Sequence, residues 1–172
     1  MALLPILEVP HPMLRQKTTP VGEFDDRLRR LVQDMLDTMY KAPGIGLAGP
    51  QVGVLQRIFV MDVANKEKGE EPAPRALINP EIVWASPDMV TMEEGCLSLP
   101  QQYADVTRPS AVKVTFHDEH GAAQELEGDG LFARCVQHEL DHLDGVLFVD
   151  HISALRRSMI LKKLAKSRKA KA

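Results

Sequence analysis

The segment that most constrains this chain is Cys135-Val136-Gln137-His138-Glu139-Leu140-Asp141-His142. Two histidines four residues apart reach one ion when the backbone between them is helical, because a helix stacks both imidazoles on one face, a turn apart. The spacing predicts a helix over 129–143, stopped near Gly145. Glu139 follows the first histidine directly, where its carboxylate can take a proton from water held by that ion. The same pattern also fits two surface histidines on an ordinary helix, so the rest of the chain has to decide.

A catalytic site of this kind usually has three protein ligands and one open position. One protease-type solution places a third histidine three residues beyond a following glycine; here Gly145 is followed at that distance by Phe148. Another uses a downstream glutamate, and none follows Glu139. His151 lies past Gly145 and a brief strand expected at Val146–Phe148. Cys135 precedes His142 by seven residues, about 10.5 Å along a helix axis. A short side chain with a metal–sulfur bond of about 2.3 Å does not easily bridge that, so Cys135 reads as a small apolar wall residue. Cys96 sits in Glu94-Gly95-Cys96-Leu97-Ser98-Leu99-Pro100. Glycine before it and proline after it suggest a strand breaking into a sharp turn, which would expose the thiol. Taken alone, this cysteine reads more simply as a buried apolar side chain.

The surrounding pattern is α+β. Residues 1–24 read as loop with one short turn. Residues 25–41 read as an amphipathic helix capped by Asp25, with Leu28, Leu31, Val32, Met35, Leu36, Met39 and Tyr40 on its apolar stripe. Residues 44–51 are too glycine-rich for a regular element. Short strands are expected at Arg57–Val63, Ala76–Ile78, Glu81–Ala85, Met89–Glu93, Ala111–His117 and Gln124–Gly128, with turns at Asn79-Pro80 and Ser86-Pro87. A last helix is expected over Ile152–Lys166, with Leu155, Met159 and Leu164 facing inward. The expected architecture is short antiparallel strands packed around a central metal-binding helix, between an N-terminal amphipathic helix and a C-terminal one.

At 172 residues, 44% hydrophobic and 26% charged, the chain reads as a single globular domain over 1–172 and not as a disordered one. Two cysteines in a chain of this size point to reduced thiols. The first residues lack the pattern of a signal peptide, and no apolar run is long enough to span a bilayer, so a cytoplasmic protein without membrane partners is expected. Residues 156–171 hold eight Lys or Arg and no acid, leaving 13 basic against 24 acidic residues elsewhere. This basic segment at about 152–172 reads either as a solvated helix face with a frayed tail or as a surface for an anionic partner.

Three segments together resemble the signature motifs of the peptide deformylases: GIGLAGPQ at 44–51, EGCLSLP at 94–100 and HELDH at 138–142. They occur in the family's order, and the likeness spans the chain. The resemblance implies removal of the formyl group from the N-terminal formyl-methionine of new polypeptides. It implies one divalent metal on Cys96, His138 and His142, iron(II) in the native enzyme, with zinc, nickel or cobalt as substitutes. Glu139 would move the proton, while the Gln51 side-chain amide and the Leu97 N–H would donate to the formyl oxygen. Ile45, Leu131, Cys135 and His138 would wall a methionine pocket, the last three at helical spacing, and Gly46 and Gly95 would contact the peptide. The resemblance also favours docking of the basic C-terminal helix on ribosomal RNA. One departure stands out: Gly49 replaces a usual alanine; Tyr103 lies in the stretch after Pro100 where some deformylases carry an arginine that faces the substrate. Read on the helix motif alone, a zinc endopeptidase is the competing enzyme, and a non-catalytic ribosome-associated metal-binding module the competing non-enzyme.

Overall fold

The computed structural model describes residues 2–171. Among these, three α-helices and seven strands give the expected α+β class. Helix α1 (Asp26–Lys41) begins where the Asp25 carboxylate accepts from the Leu28 N–H at 3.0 Å. Leu28, Val32, Met35 and Met39 of the predicted stripe are buried. The strands are β1 (Gly46–Ala48), β2 (Ile58–Met61), β3 (Arg75–Ala85), β4 (Met89–Cys96), β5 (Leu99–Pro109), β6 (Ala111–His117) and β7 (Ala123–Asp129). Helix α2 (Gly130–Leu143) carries the two histidines, and α3 (Ala154–Lys171) follows it.

Five strands form an antiparallel sheet in the order β1-β2-β3-β6-β7, while β4 and β5 form a separate two-stranded ribbon. The two faces of the sheet bury different helices, as the period of two requires. On β2, Ile58 and Val60 join the α1 core with Leu47, Ala76 and Ile78. Phe59 and Met61 turn the other way and join Ala133, Cys135, Val136 and Leu143 of α2. A third core lies on the ribbon side, where Leu99, Ala104 and Val106 pack with Leu147, Phe148, Val149, Ile160 and Leu164. Helix α2 therefore has protein on nearly every side.

Several expectations are corrected. The glycine-rich stretch at 44–51 does contain regular structure: β1 at the sheet edge, then a 3-10 turn at Gly49–Val52. The expected Asn79-Pro80 turn is a bulge within one eleven-residue strand. Proline offers no ladder N–H, and the irregularity absorbs it. Asn79 takes a positive φ of 51° and clamps Val21, accepting from its N–H at 2.8 Å and donating to its carbonyl at 3.0 Å. Strand β5, also eleven residues, was not anticipated, so the strands are not all short. At Val146–Phe148 there is no strand; a 3-10 turn spans Phe148–His151, because three successive side chains, Leu147 to Val149, are all buried. Helix α3 reaches Lys171, without the tail expected after Lys166. It is anchored by Ile160 and Leu164, whereas Leu155 and Met159 are 73% and 52% exposed.

Candidate metal centre and its cleft

Strand β4 ends at Cys96, and β5 begins after only two intervening residues, with Cys96 opposite Leu99. This tight reversal, the turn expected from the glycine and proline around it, carries the thiol to α2. Cys96 Sγ lies 3.3 Å from His142 Nε2. One ligand atom each from Cys96, His138 and His142 falls within 4.8 Å of the others. Tetrahedral bonds of about 2.0–2.3 Å from nitrogen and sulfur to one ion would set such atoms about 3.5 Å apart. A soft thiolate with two imidazoles suits zinc and the later first-row divalent metals. Cys135 is not in the cluster: its thiol points to the Ile45 carbonyl, 3.7 Å away, and burial pushes its pKa up, which favours the neutral thiol.

His138 is oriented from behind. Its Nδ1 meets Glu94 Oε1 at 2.9 Å, which leaves Nε2 for the ion. Glu94 in turn receives Arg108 through Nε at 2.6 Å and Nη2 at 2.9 Å, and Arg134 through Nη1 at 2.6 Å. All three members of this ionic cluster are buried. Burial opposes the charge on Glu94, but the bonds from His138, Arg108 and Arg134 win and hold its carboxyl far below the usual range. Arg108 also reaches Asp141 Oδ2 at 2.8 Å, and Arg134 donates to the carbonyls of Val106 and Val90. Sequence reasoning quoted Glu94 within a motif yet gave it no role, and missed both arginines. The available signal was the buried alternation Ala104, Val106, Arg108 along β5, hidden because its last member is charged.

Burial disfavours a proton on His138, yet Glu139, Cys96 and Glu94 draw one on and leave its pKa well raised. Surroundings that attract a proton so strongly also attract a metal cation. Burial, and then the charge of His138, drive His142 the other way, toward the neutral imidazole a ligand must be. Glu139 is buried, and its Oε1 has no hydrogen-bond partner among the described residues. Burial, assisted by Glu94, raises its carboxyl to about 7 against the pull of His138. A base of that strength is matched to proton transfer near neutral pH.

The opposite wall is backbone. A Cβ built on Gly46 would stand 2.6 Å from Glu139 Oε2 and 2.9 Å from Cys135 Sγ, so only hydrogen fits there. Gly49 is similarly confined: a Cβ would meet the Val54 carbonyl oxygen at 2.6 Å, so here the departure from alanine relieves a close backbone approach. Gln51 is buried, its Oε1 fixed by the Ala48 N–H at 2.9 Å and its Nε2 directed at Ser98 Oγ, 3.1 Å, and Cys96 Sγ, 3.5 Å. Ile45, Gly46, Gln51, Gly95, Cys96 and Leu97 line one cleft of about 710 Å³ together with Leu131, Cys135, His138 and Glu139. Of the predicted site residues only His142 lies behind that surface, at 1% exposure.

Residues 3–158 match the model of the family described as polypeptide deformylase. The chain belongs to that family. It is 54% identical over 170 residues to a peptide deformylase of Phenylobacterium zucineum, covering 99% of each chain. A crystal structure of a peptide deformylase from Legionella pneumophila superposes with a TM-score of 0.91 at 43% identity, covering 99% of this chain and 98% of that one. A peptide deformylase from Ehrlichia chaffeensis, solved in complex with actinonin, gives 0.91 at 38% identity over 97% and 98%. The chain is thus a hydrolase of a metal-dependent family, and its Cys/His cluster is suited to a metal. None of the helices among the described residues is long and apolar enough to cross a membrane.

Proposed function

We propose that Cys96, His138 and His142 hold one divalent metal, iron(II) in the native enzyme with zinc, nickel or cobalt able to replace it, and that the adjoining cleft deformylates N-terminal formyl-methionine. Removal of the N-formyl group from nascent peptides is the activity of the family. The observation that carries the assignment of roles is the cluster of one sulfur and two nitrogens at the inner end of a cleft that Glu139 also lines. When bound, the metal would lower the pKa of a water and polarise the formyl oxygen. Glu139 takes the proton of the attacking water and returns it to the departing amine as formate leaves. Gln51 Nε2 and the Leu97 N–H donate to the formyl oxygen as negative charge grows there. Ile45, Leu131 and Cys135 with the flank of His138 receive the methionine side chain. The peptide beyond lies extended between β1, the sheet's edge strand, and the ribbon, contacting Gly46 and Gly95. A hydrogen on the formyl carbon suits a site closed on one side by Gly46, where a larger acyl group would collide.

The test is formate release from formyl-Met-Ala-Ser, set beside its acetylated twin and an unmodified internal peptide. Rapid turnover of the formyl peptide alone is expected. Cleavage of the internal peptide would instead mean an endopeptidase, and no turnover of any would mean a binding module.

The 172 residues act, in this reading, as one catalytic unit in the cytoplasm, with α3 as a ribosome contact. Lys162, Lys163, Lys166, Lys169 and Lys171 are all exposed on it, and phosphates bind such segments without sequence readout. Because Ile160 and Leu164 belong to the third core, truncation would confuse docking with folding. Replacing those five lysines by glutamine keeps the helix and should weaken ribosome binding at low salt by tenfold or more. Equal affinity of variant and parent would refute the docking role.

A further inference from the structure

One face of the five-stranded sheet is only half covered. Val112, Val114 and Phe116 of β6 turn toward α2, so Lys113 and Thr115 turn to the opposite side. On that side α1 packs against Leu47, Ile58, Val60, Ala76 and Ile78 of β1, β2 and β3, and no residue of β6 or β7 joins this core. The register sets two rows on the uncovered part. Trp84 of β3 stands opposite Lys113, and Lys113 opposite Glu127; Glu81 stands opposite Thr115, and Thr115 opposite Glu125. Directly opposed residues share a face. Glu81, Glu125 and Glu127 are exposed, as is Trp84, the chain's single tryptophan, at 43%. Lys113 is taken up by Glu125 at 3.3 Å. Among the described residues Glu81 and Glu127 have no salt-bridge partner. The open face is thus an indole among surplus carboxylates. From β3 to β7 it measures about 10 Å at the usual strand spacing, which is the diameter of one helix.

The chain also displays a helix face of the opposite character. Helix α3 is held on the ribbon side by Ile160 and Leu164. At about 100° per residue, Leu155, Met159, Lys162 and Lys166 form one stripe on the side away from those two anchors. All four are exposed. Among the described residues neither lysine of the stripe has a salt-bridge partner.

The two surfaces match in chemistry and in spacing. Glu81 and Trp84 are three residues apart on β3, about 10 Å along the strand. Leu155 to Lys162, and Met159 to Lys166, each span seven residues, about 10.5 Å along the helix. Laid along β3, the stripe would set its apolar pair against the indole and its lysines among Glu81, Glu125 and Glu127. A methionine sulfur is a favourable neighbour for an aromatic ring, and the charges fix the direction of docking. Within one molecule the contact does not form, because α3 is seated on the ribbon with its stripe turned outward. Charge points to a second copy as the occupant: residues 156–171 hold eight Lys or Arg and no acid, against 13 basic and 24 acidic residues elsewhere. We propose that α3 of one copy docks on the open β3-β6-β7 face of another, so that the protein self-associates through a helix laid on a sheet. A contact of this size makes a weak, salt-sensitive association.

The experiment is sedimentation equilibrium of the metal-loaded protein at low ionic strength, with Trp84 emission read on the same samples. Between about 1 and 200 µM the weight-average mass should rise by at least about half, and return to the monomer value in roughly 0.5 M salt. Trp84 emission should move to shorter wavelength over the same range as the ring leaves water. Glu81→Lys with Glu127→Lys, and separately Lys162→Glu with Lys166→Glu, should each stay monomeric. An equimolar mixture of these two variants should associate again, because each restores the other's complement. Leu155→Ser with Met159→Ser should weaken association at least about fivefold with no change of charge. Thermal melting checks the folding of every variant, and the serine variant carries the test if a charge variant fails to fold. A parent that stays monomeric overturns the proposal and leaves the face to a basic helix of another protein. Association that leaves Trp84 emission unmoved, that persists in either charge variant alone, or that the mixture fails to restore overturns it as well. None of these results touches the deformylase reading, which rests on formate release.

Discussion

Glu139→Gln should lower deformylation at least a thousandfold while the protein keeps a full complement of metal. The substitution preserves shape but abolishes the proton acceptor, and a positioned base contributes roughly 10²–10⁴ in rate. The structure favours the upper part of that range, because Glu139 is buried, raised to about 7, and has an oxygen without a protein partner. Cys96→Ala should fail differently. It leaves two imidazoles, and metal content after dialysis should fall to a small fraction of one equivalent, whereas Cys135→Ala should retain it. Metal analysis beside a formate assay separates the two failures. Substantial turnover by Glu139→Gln would take the base away from this residue. Full metal in Cys96→Ala would remove the thiolate from the ligand set.

The second large effect is on stability. Glu94→Leu should destabilise the fold by about 3–5 kcal/mol, the usual cost of leaving buried charges without their partner. Arg108 keeps Asp141, and Arg134 keeps two carbonyls, but both lose the carboxylate at their centre. For a chain of this length the melting temperature should fall by roughly 10 °C. Since Glu94 also sets the ring of His138, metal affinity should fall about 10–100-fold. A melting point within about 2 °C of the parent would show that the arginines find other partners and that the cluster does little for the fold.

How far the sequence reaches depends on the kind of pattern. The helix motif predicted α2 and both imidazoles, because helical geometry leaves two residues at that spacing no other relation. The α1 stripe was legible for the same reason. Cys96 was not decided by spacing: its approach to His142 is set by pairing along the whole ribbon, including β5, which went unseen. What hid β5 is Arg108. An inward arginine breaks the apolar alternation, and its burial makes sense only beside Glu94, fourteen residues away, and Asp141 on another element. Leu155 and Met159 misled for a related reason, since apolar spacing on α3 does not say which residues of a basic helix meet the third core.

The two walls around the reacting centre differ in a way that bears on evolvability. One is main chain pressed so close to Glu139 that any substituent at position 46 would strike it. The other presents half-open side chains such as Leu131 and Tyr103, 44% and 59% exposed, which can change without disturbing the interior. A blocking compound that leans on the first wall would leave few routes to mutational escape; one that leans on the second would leave many.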